Sequence, residues 1–208
     1  MKFDSIIFDL DGTLWDSTKN VTISWNDTFE KMGLSYRITP DDLTRSMGMT
    51  MYAIAEKLFT FCDKKEAHEL MDMLCITARE YLSIHGGKLY GGVVETLSEL
   101  RKTHRLFIVS NCQLGYIETF LDAHKLYDYF EATDCWGRTL VHKGETNRML
   151  IERNGLKSPV YVGDTQGDYE SAVYAKIPFV WARYGFGEPS GYNYVIDRFS
   201  QLLDIVKD

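Results

Sequence analysis

The sequence has no Cys-x-x-Cys pair, no run of basic residues, no apolar stretch of transmembrane length and no internal repeat. Each absence removes a class of function. The 4 cysteines, at 62, 75, 112 and 135, are far apart and have no clustered histidine to complete a zinc site, so they read as reduced thiols. With no basic tract and a formal net charge of -7 over 208 residues, no nucleic-acid partner and no anionic membrane surface are expected. No apolar run approaches the roughly 20 residues of a membrane helix. Met1 and Lys2 lead straight into an aspartate-bearing strand rather than a signal-peptide core, so a cytoplasmic protein is expected. What is present, 45% hydrophobic and 25% charged residues, describes a globular chain that can bury a real core, either one domain or one domain with a modest insertion.

The chain is arranged around residues 3–14, FDSIIFDLDGTL. Ile6, Ile7 and Phe8 form a short apolar run that stops at Asp9-Leu10-Asp11-Gly12-Thr13, the pattern of a buried parallel strand opening into a loop. Open α/β sheets bind their ligands at such carboxyl ends. Side chains two apart on a strand share a face, so Asp9 and Asp11 crowd negative charge into one volume unless the backbone turns between them. A positive partner is expected there. Gly12 allows a tight turn or a close backbone approach.

Beyond this strand Val21, Trp25, Phe29 and Met32 recur at helical spacing, with Gly33 to end the helix. Thr39 reads as an N-cap, Pro40 as the first helical residue, and Asp41 and Asp42 as the acidic first turn. A further helix opens at Thr50. Asp63 and Glu66 open a longer one, which places Leu70, Leu74, Thr77 and Tyr81 on one face and stops at Gly86-Gly87. Residues 17–85 thus read as helical throughout. Apolar strands at 106–109, 160–162 and 179–182 and a weaker one at 130–133 then alternate with helices near 97–100, 114–121, 146–153 and 168–175, and a helix at 200–206 closes the chain. That alternation predicts an α/β fold, a Rossmann-like parallel sheet with helices on both faces. The core is expected at 1–16 and 86–208, with 17–85 a helical block inserted after the first strand.

The residues that follow each strand carry the chemistry. After Val109 come Ser110 and Asn111, a hydroxyl and an amide just before a helix, where free N–H groups attract an anion. After Val162 comes Gly163-Asp164-Thr165-Gln166-Gly167-Asp168. Asp9, Asp11, Asp164 and Asp168 therefore converge on one rim, and mutual repulsion raises some of their pKa values unless a cation intervenes. An all-oxygen donor set favours Mg²⁺. Lys143, ahead of the helix at 146, supplies a mobile ammonium to balance the rest.

In this order, DLDGT at 9–13, Ser110-Asn111, Lys143 and GDTQGD at 163–168 resemble the four motifs of the haloacid dehalogenase superfamily of aspartate-nucleophile phosphotransferases. The likeness extends over nearly the whole chain, and residues 17–85 look like the cap of the subgroup containing phosphoglycolate phosphatases and β-phosphoglucomutases. It implies a Mg²⁺-dependent phosphatase acting on a small-molecule phosphate ester, as a monomer or homodimer. Asp9 would be the nucleophile and Asp11 the general acid and base. Ser110, the N–H of Asn111 and Lys143 would hold the phosphoryl oxygens. Asp9, the backbone carbonyl of Asp11 and Asp164 would hold the metal, with Asp168 behind them.

Asp11 points away from dehalogenases, which resemble DxYGT, and from phosphonatases, which usually replace it. A sugar-phosphate mutase shares all four motifs, but usually has a hydrophobic residue in place of Thr13 and a histidine early in the cap; residues 14–32 contain none. A hydrolase is expected over a mutase, or over an idle binding module of the same fold. Within the cap, Ser46-Met47-Gly48-Met49-Thr50 is the expected specificity loop. Arg45 is either a partner for a second anionic group or solvated. His142 is expected at the surface, and Tyr184-Gly185-Phe186-Gly187 near the cap hinge.

Overall fold

The computed structural model describes residues 2–207. In chain order, β1 (Ser5–Phe8) and the short β2 (Trp15–Asp16) precede the helices α1 (Thr18–Lys31), α2 (Pro40–Thr44), α3 (Met51–Leu58) and α4 (Lys64–His85). The chain returns through β3 (Lys88–Leu89), α5 (Val93–Leu100), β4 (Arg105–Ser110), α6 (Tyr116–His124), β5 (Ala132–Cys135), α7 (Trp136–Thr139) and α8 (Lys143–Asn154). It ends with β6 (Pro159–Gly163), α9 (Gln166–Ala175), β7 (Phe179–Ala182), β8 (Tyr194–Ile196) and α10 (Leu202–Val206).

Period-2 side-chain alternation builds the main sheet. Ile6, Phe8, Leu106, Ile108, Val160, Val162 and Val180 face one hydrophobic layer, while Ile7, Phe107, Val109, Tyr161, Phe179 and Trp181 face the other. Both faces are covered, as a parallel sheet requires. All neighbouring strands pair in parallel, in the order β5-β4-β1-β6-β7-β8. The chain moves outward from β1 through β4 and β5, then starts again on its other side with β6. The carboxyl end of β1 is therefore a switch point, where a crevice opens between diverging loops.

The helical segment forms for the reasons its sequence offers. Thr39 and Asp42 make a reciprocal capping box at α2, and Asp63 and Glu66 another at α4. Ala67, Leu70, Met71, Leu74, Cys75, Ala78 and Leu82 form the buried stripe of α4, which packs on α1, α3 and α6. The segment leaves and re-enters the core through β2 and β3, an antiparallel pair that sets Trp15 opposite Leu89 and Asp16 opposite Lys88.

Three local expectations shift. The weak strand lies at 132–135 rather than 130–133, and the sheet gains a sixth strand at Tyr194–Ile196. Helix α8 begins at Lys143, not 146, because the His142 ring accepts the Glu145 N–H at 3.3 Å and serves as the cap. All four cysteines are free thiols. Among the described residues no helix is long and apolar enough to cross a membrane.

Candidate functional site

The loops leaving β1, β4 and β6 meet the first residue of α8 at the switch point. Lys143 is buried there, with its Nζ 2.5 Å from Asp9 Oδ1 and 2.5 Å from Asp168 Oδ1. It is a clamped cation rather than the mobile one expected. Placing it at the start of a helix fixes its stem, and the two carboxylates fix its head. Burial alone would lower its pKa, but the charges of Asp168 and Asp9 carry it well above the usual lysine range.

Asp168 has no free valence. Its Oδ1 accepts from Lys143 and, at 3.3 Å, from the Tyr161 hydroxyl; its Oδ2 accepts the N–H groups of Asp164 and Thr165 and the Thr165 hydroxyl. Burial pushes against its charge, yet Lys143 and these donors bring its pKa below the ordinary value. Asp9 and Asp164 lack such support. Burial, the Asp168 charge and, less strongly, other neighbours push Asp9 up to about 7 despite Lys143. Burial and the same neighbours raise Asp164 well above its usual value. Asp164 is held by the Phe186 N–H at 2.8 Å and the Thr13 hydroxyl at 3.3 Å.

Asp9, Asp164 and Asp168 each present a carboxylate oxygen within 4.8 Å of the others, all buried. One ammonium faces three carboxylates, so two negative charges stay uncompensated when all ionise. A hard divalent cation that takes oxygen ligands fits this donor set, with Asp9 and Asp164 as the carboxylates not already saturated.

Asp11 does not join that cluster through its side chain. The chain leaves the strand at Asp9, and the Asp11 carboxylate turns toward the helical segment, where Oδ1 accepts from the Ser17 hydroxyl at 2.7 Å and the Tyr116 hydroxyl at 3.0 Å. Burial pushes its pKa up to about 6 against those two bonds. The two aspartates of β1's rim therefore occupy separate environments, which keeps their charges apart.

Asp9, Asp11, Ser110, Asn111 and Lys143 all line one cavity of about 60 Å³ between the sheet rim and the helical segment. The loop at 46–50 forms its far wall. Asn111 Nδ2 donates to the Gly48 carbonyl at 2.7 Å, so its side-chain amide is spent on this loop. Gly48 has φ +82, and a Cβ there would stand 2.8 Å from Thr165 Oγ1, so only glycine lets the loop seat against the core. Arg45 lies outside, 65% exposed and paired with Asp42. His142 caps α8 and packs its ring on Tyr174, and Tyr184 donates to the Thr13 carbonyl.

Reading the sequence did not reach Ser17, Tyr116 or Tyr161, and it named Thr165 and Phe186 only within their stretches, without a role. Tyr161 carried a usable signal: a tyrosine in the middle of a fully buried strand needs a partner for its hydroxyl. Gly12 is the tightest point. With φ +87 and a Cβ that would fall 2.2 Å from Asp164 Oδ2, it lets the β1 loop press on that carboxylate. Gly12→Ala is expected to displace the Asp164 carboxylate from the cluster, by about 1 Å or more to clear the new Cβ; a crystal structure of the variant checks this.

A model of the family described as haloacid dehalogenase-like hydrolase matches residues 6–182. A phosphoglycolate phosphatase of Photobacterium profundum is 27% identical over 222 residues, covering 97% of this chain and 95% of that one. Another, of Aquifex aeolicus, is 28% identical over 211 residues with coverage of 97% and 95%. Among solved structures, a predicted phosphoglycolate phosphatase from Haemophilus somnus matches with a TM-score of 0.84 at 23% identity, covering 99% of this chain and 98% of that one. That likeness speaks for the α/β fold.

Proposed function

The chain belongs to the haloacid dehalogenase-like hydrolase family and is a phosphatase; from that premise we propose that it is Mg²⁺-dependent and hydrolyses a small phosphorylated metabolite through a phosphorylated Asp9. The observation that carries this reading is Lys143, held at 2.5 Å from both Asp9 and Asp168 beside Asp164, at the floor of the cavity. Residues 1–16 and 86–208 are assigned as the catalytic core and 17–85 as its cap.

Asp9 Oδ1 is taken by Lys143, while Oδ2 accepts no hydrogen bond among the described residues and is the attacking atom. It displaces the leaving oxygen at phosphorus in line, forming an acyl phosphate. Asp11, kept protonatable near neutral pH by burial, gives its proton to the departing alkoxide. In the second half Asp11 takes a proton from water, the water oxygen bonds to phosphorus, and the bond to Asp9 breaks. Ser110, the Asn111 N–H and Lys143 hold the phosphoryl oxygens as charge redistributes. Asp9, Asp164 and the Asp11 carbonyl would hold Mg²⁺, which when bound offsets the charge of Asp9 and of the substrate dianion. Asp168 positions Lys143, and the cap loop at 46–50 excludes water from the reacting centre.

Phosphate release from p-nitrophenyl phosphate, phosphoglycolate, sugar phosphates and nucleotides tests the reading. Release is expected with Mg²⁺, none with EDTA, and a loss of at least about 10³ in Asp9→Ala, the size seen when a nucleophile is removed. An Asp9→Ala protein working at the wild-type rate sinks the mechanism.

A further inference from the structure

The floor of the cavity suits any phosphate monoester; the walls are more selective. Beyond the carboxylates and Lys143, the cavity is lined largely by apolar side chains, among them Val21, Trp25, Leu43, Met49, Met51 and Ile54, with uncharged polar groups between them. The charged residues lining the cavity are Asp9, Asp11 and Lys143 alone. Lys143 already serves two carboxylates. Arg45, the nearest arginine in sequence to this wall, lines a separate outer groove and pairs with Asp42 at 2.7 Å.

A carboxylate on the leaving group would enter this space without a cation and beside the negative Asp11. Burying an ion against apolar walls without a partner is strongly unfavourable. Neutral polar groups are better served. Trp25 Nε1, Asn111 Oδ1 and Gln113 Oε1 are buried, belong to residues lining the cavity, and have no hydrogen-bond partner among the described residues. Because Asn111 Nδ2 is tied to the Gly48 carbonyl, the Oδ1 of that amide is left without a partner among the described residues. Buried polar atoms of this kind call for a partner, and one donor with two acceptors suits an alcohol.

Resting on the phosphatase reading above, we propose that this site takes the phosphate monoester of an uncharged alcohol with a compact carbon body and a further hydroxyl, and discriminates against phosphoglycolate. The apolar walls take the carbon body, the orphaned amide oxygens accept from the hydroxyl or the Trp25 N–H donates to it, and the missing cation rejects the acid.

Three esters of nearly equal size isolate the charge: 2-hydroxyethyl phosphate, n-propyl phosphate and 2-phosphoglycolate, each assayed with Mg²⁺ beside p-nitrophenyl phosphate. The expected order in kcat/KM is hydroxyethyl over propyl over phosphoglycolate, with the first and last at least about 100-fold apart, the scale of discrimination by an unmatched buried polar group. Met51→Lys, which adds a cation at a half-buried position on the wall, should move the hydroxyethyl-to-phosphoglycolate ratio toward phosphoglycolate by about 10-fold or more. Phosphoglycolate turned over as well as or better than hydroxyethyl phosphate overturns the proposal while leaving the phosphatase standing. A ratio unmoved in a folded Met51→Lys overturns the assignment of these walls as the selecting surface. If none of these four esters releases phosphate while a sugar phosphate or nucleotide does, this inference falls and the phosphatase stands.

Discussion

Lys143→Met is expected to abolish phosphate release, by at least about 10³, and also to lower the melting temperature by about 10 °C. The second effect sets this lysine apart from an ordinary catalytic residue. Among the described residues its ammonium is the one cation paired with the buried carboxylates of Asp9 and Asp168. Removing one partner of a buried ion pair costs about 3–5 kcal/mol, because the remaining charge is stranded, and each kcal/mol is worth about 2–4 °C in a chain of this size. Thermal melts in EDTA measure it. The double variant Lys143→Met/Asp168→Asn should recover part of the stability and none of the activity. Additive losses in the double variant would mean that the two groups do not act on each other.

Asp164→Asn should show the opposite pattern, gaining stability in EDTA while losing Mg²⁺-dependent activity and the Mg²⁺-induced rise in melting temperature. Asp164 is fully buried; in the variant the amide oxygen can accept the Phe186 N–H, and the amide NH2 can donate to the Thr13 hydroxyl, which turns from donor to acceptor. Neutralising it relieves repulsion from Asp168 and Asp9. The expected gain is about 2 kcal/mol, or roughly 4–8 °C.

The sign of the pH dependence follows from the raised values. Asp9, at about 7, and Asp164 hold protons more tightly folded than unfolded, so metal-free stability falls as pH rises from about 4, the unfolded carboxyl range, through about 7. His104 and His124, whose pKa values burial lowers, add the opposite slope at acid pH. The difference between wild type and Asp164→Asn removes that contribution. The advantage of the variant should grow as pH rises above the unfolded carboxyl range, and Mg²⁺ should stabilise wild type more as Asp164 ionises. An advantage independent of pH would show that charge is not its cause.

Asp9, Ser110 and Asp164 were legible because each directly ends or follows an apolar run, and the end of a buried strand is where a parallel sheet exposes its loops. Lys143 was legible as a residue but not as a clamp. The segment His-Lys-Gly-Glu lacks the usual Ser, Thr, Asp or Asn helix start, and the imidazole cap that moves the helix back to 143 leaves little trace in sequence. The direction of Asp11 stayed open for a related reason: period-2 reasoning holds only while the backbone is extended, and the strand has ended by Asp9. Strand β8 is three residues at a sheet edge, too short for a periodic signal. The partners of Asp11, Ser17 just ahead of α1 and Tyr116 at the start of α6, lie 6 and 105 positions away in the chain, and the second distance is set by tertiary packing alone.

The pairing of β2 with β3 has a consequence for ancestry. The chain enters and leaves the helical block through residues that lie side by side, Asp16 against Lys88, about 5 Å apart as neighbouring strands are. The two ends of the block thus coincide in space, so a block of different length or helix number can be spliced between them without changing the register of any strand in the main sheet. Lineages can trade lids at this ribbon and keep the hearth beneath them, which makes residues 15–16 and 88–89 the natural suture for building chimaeras.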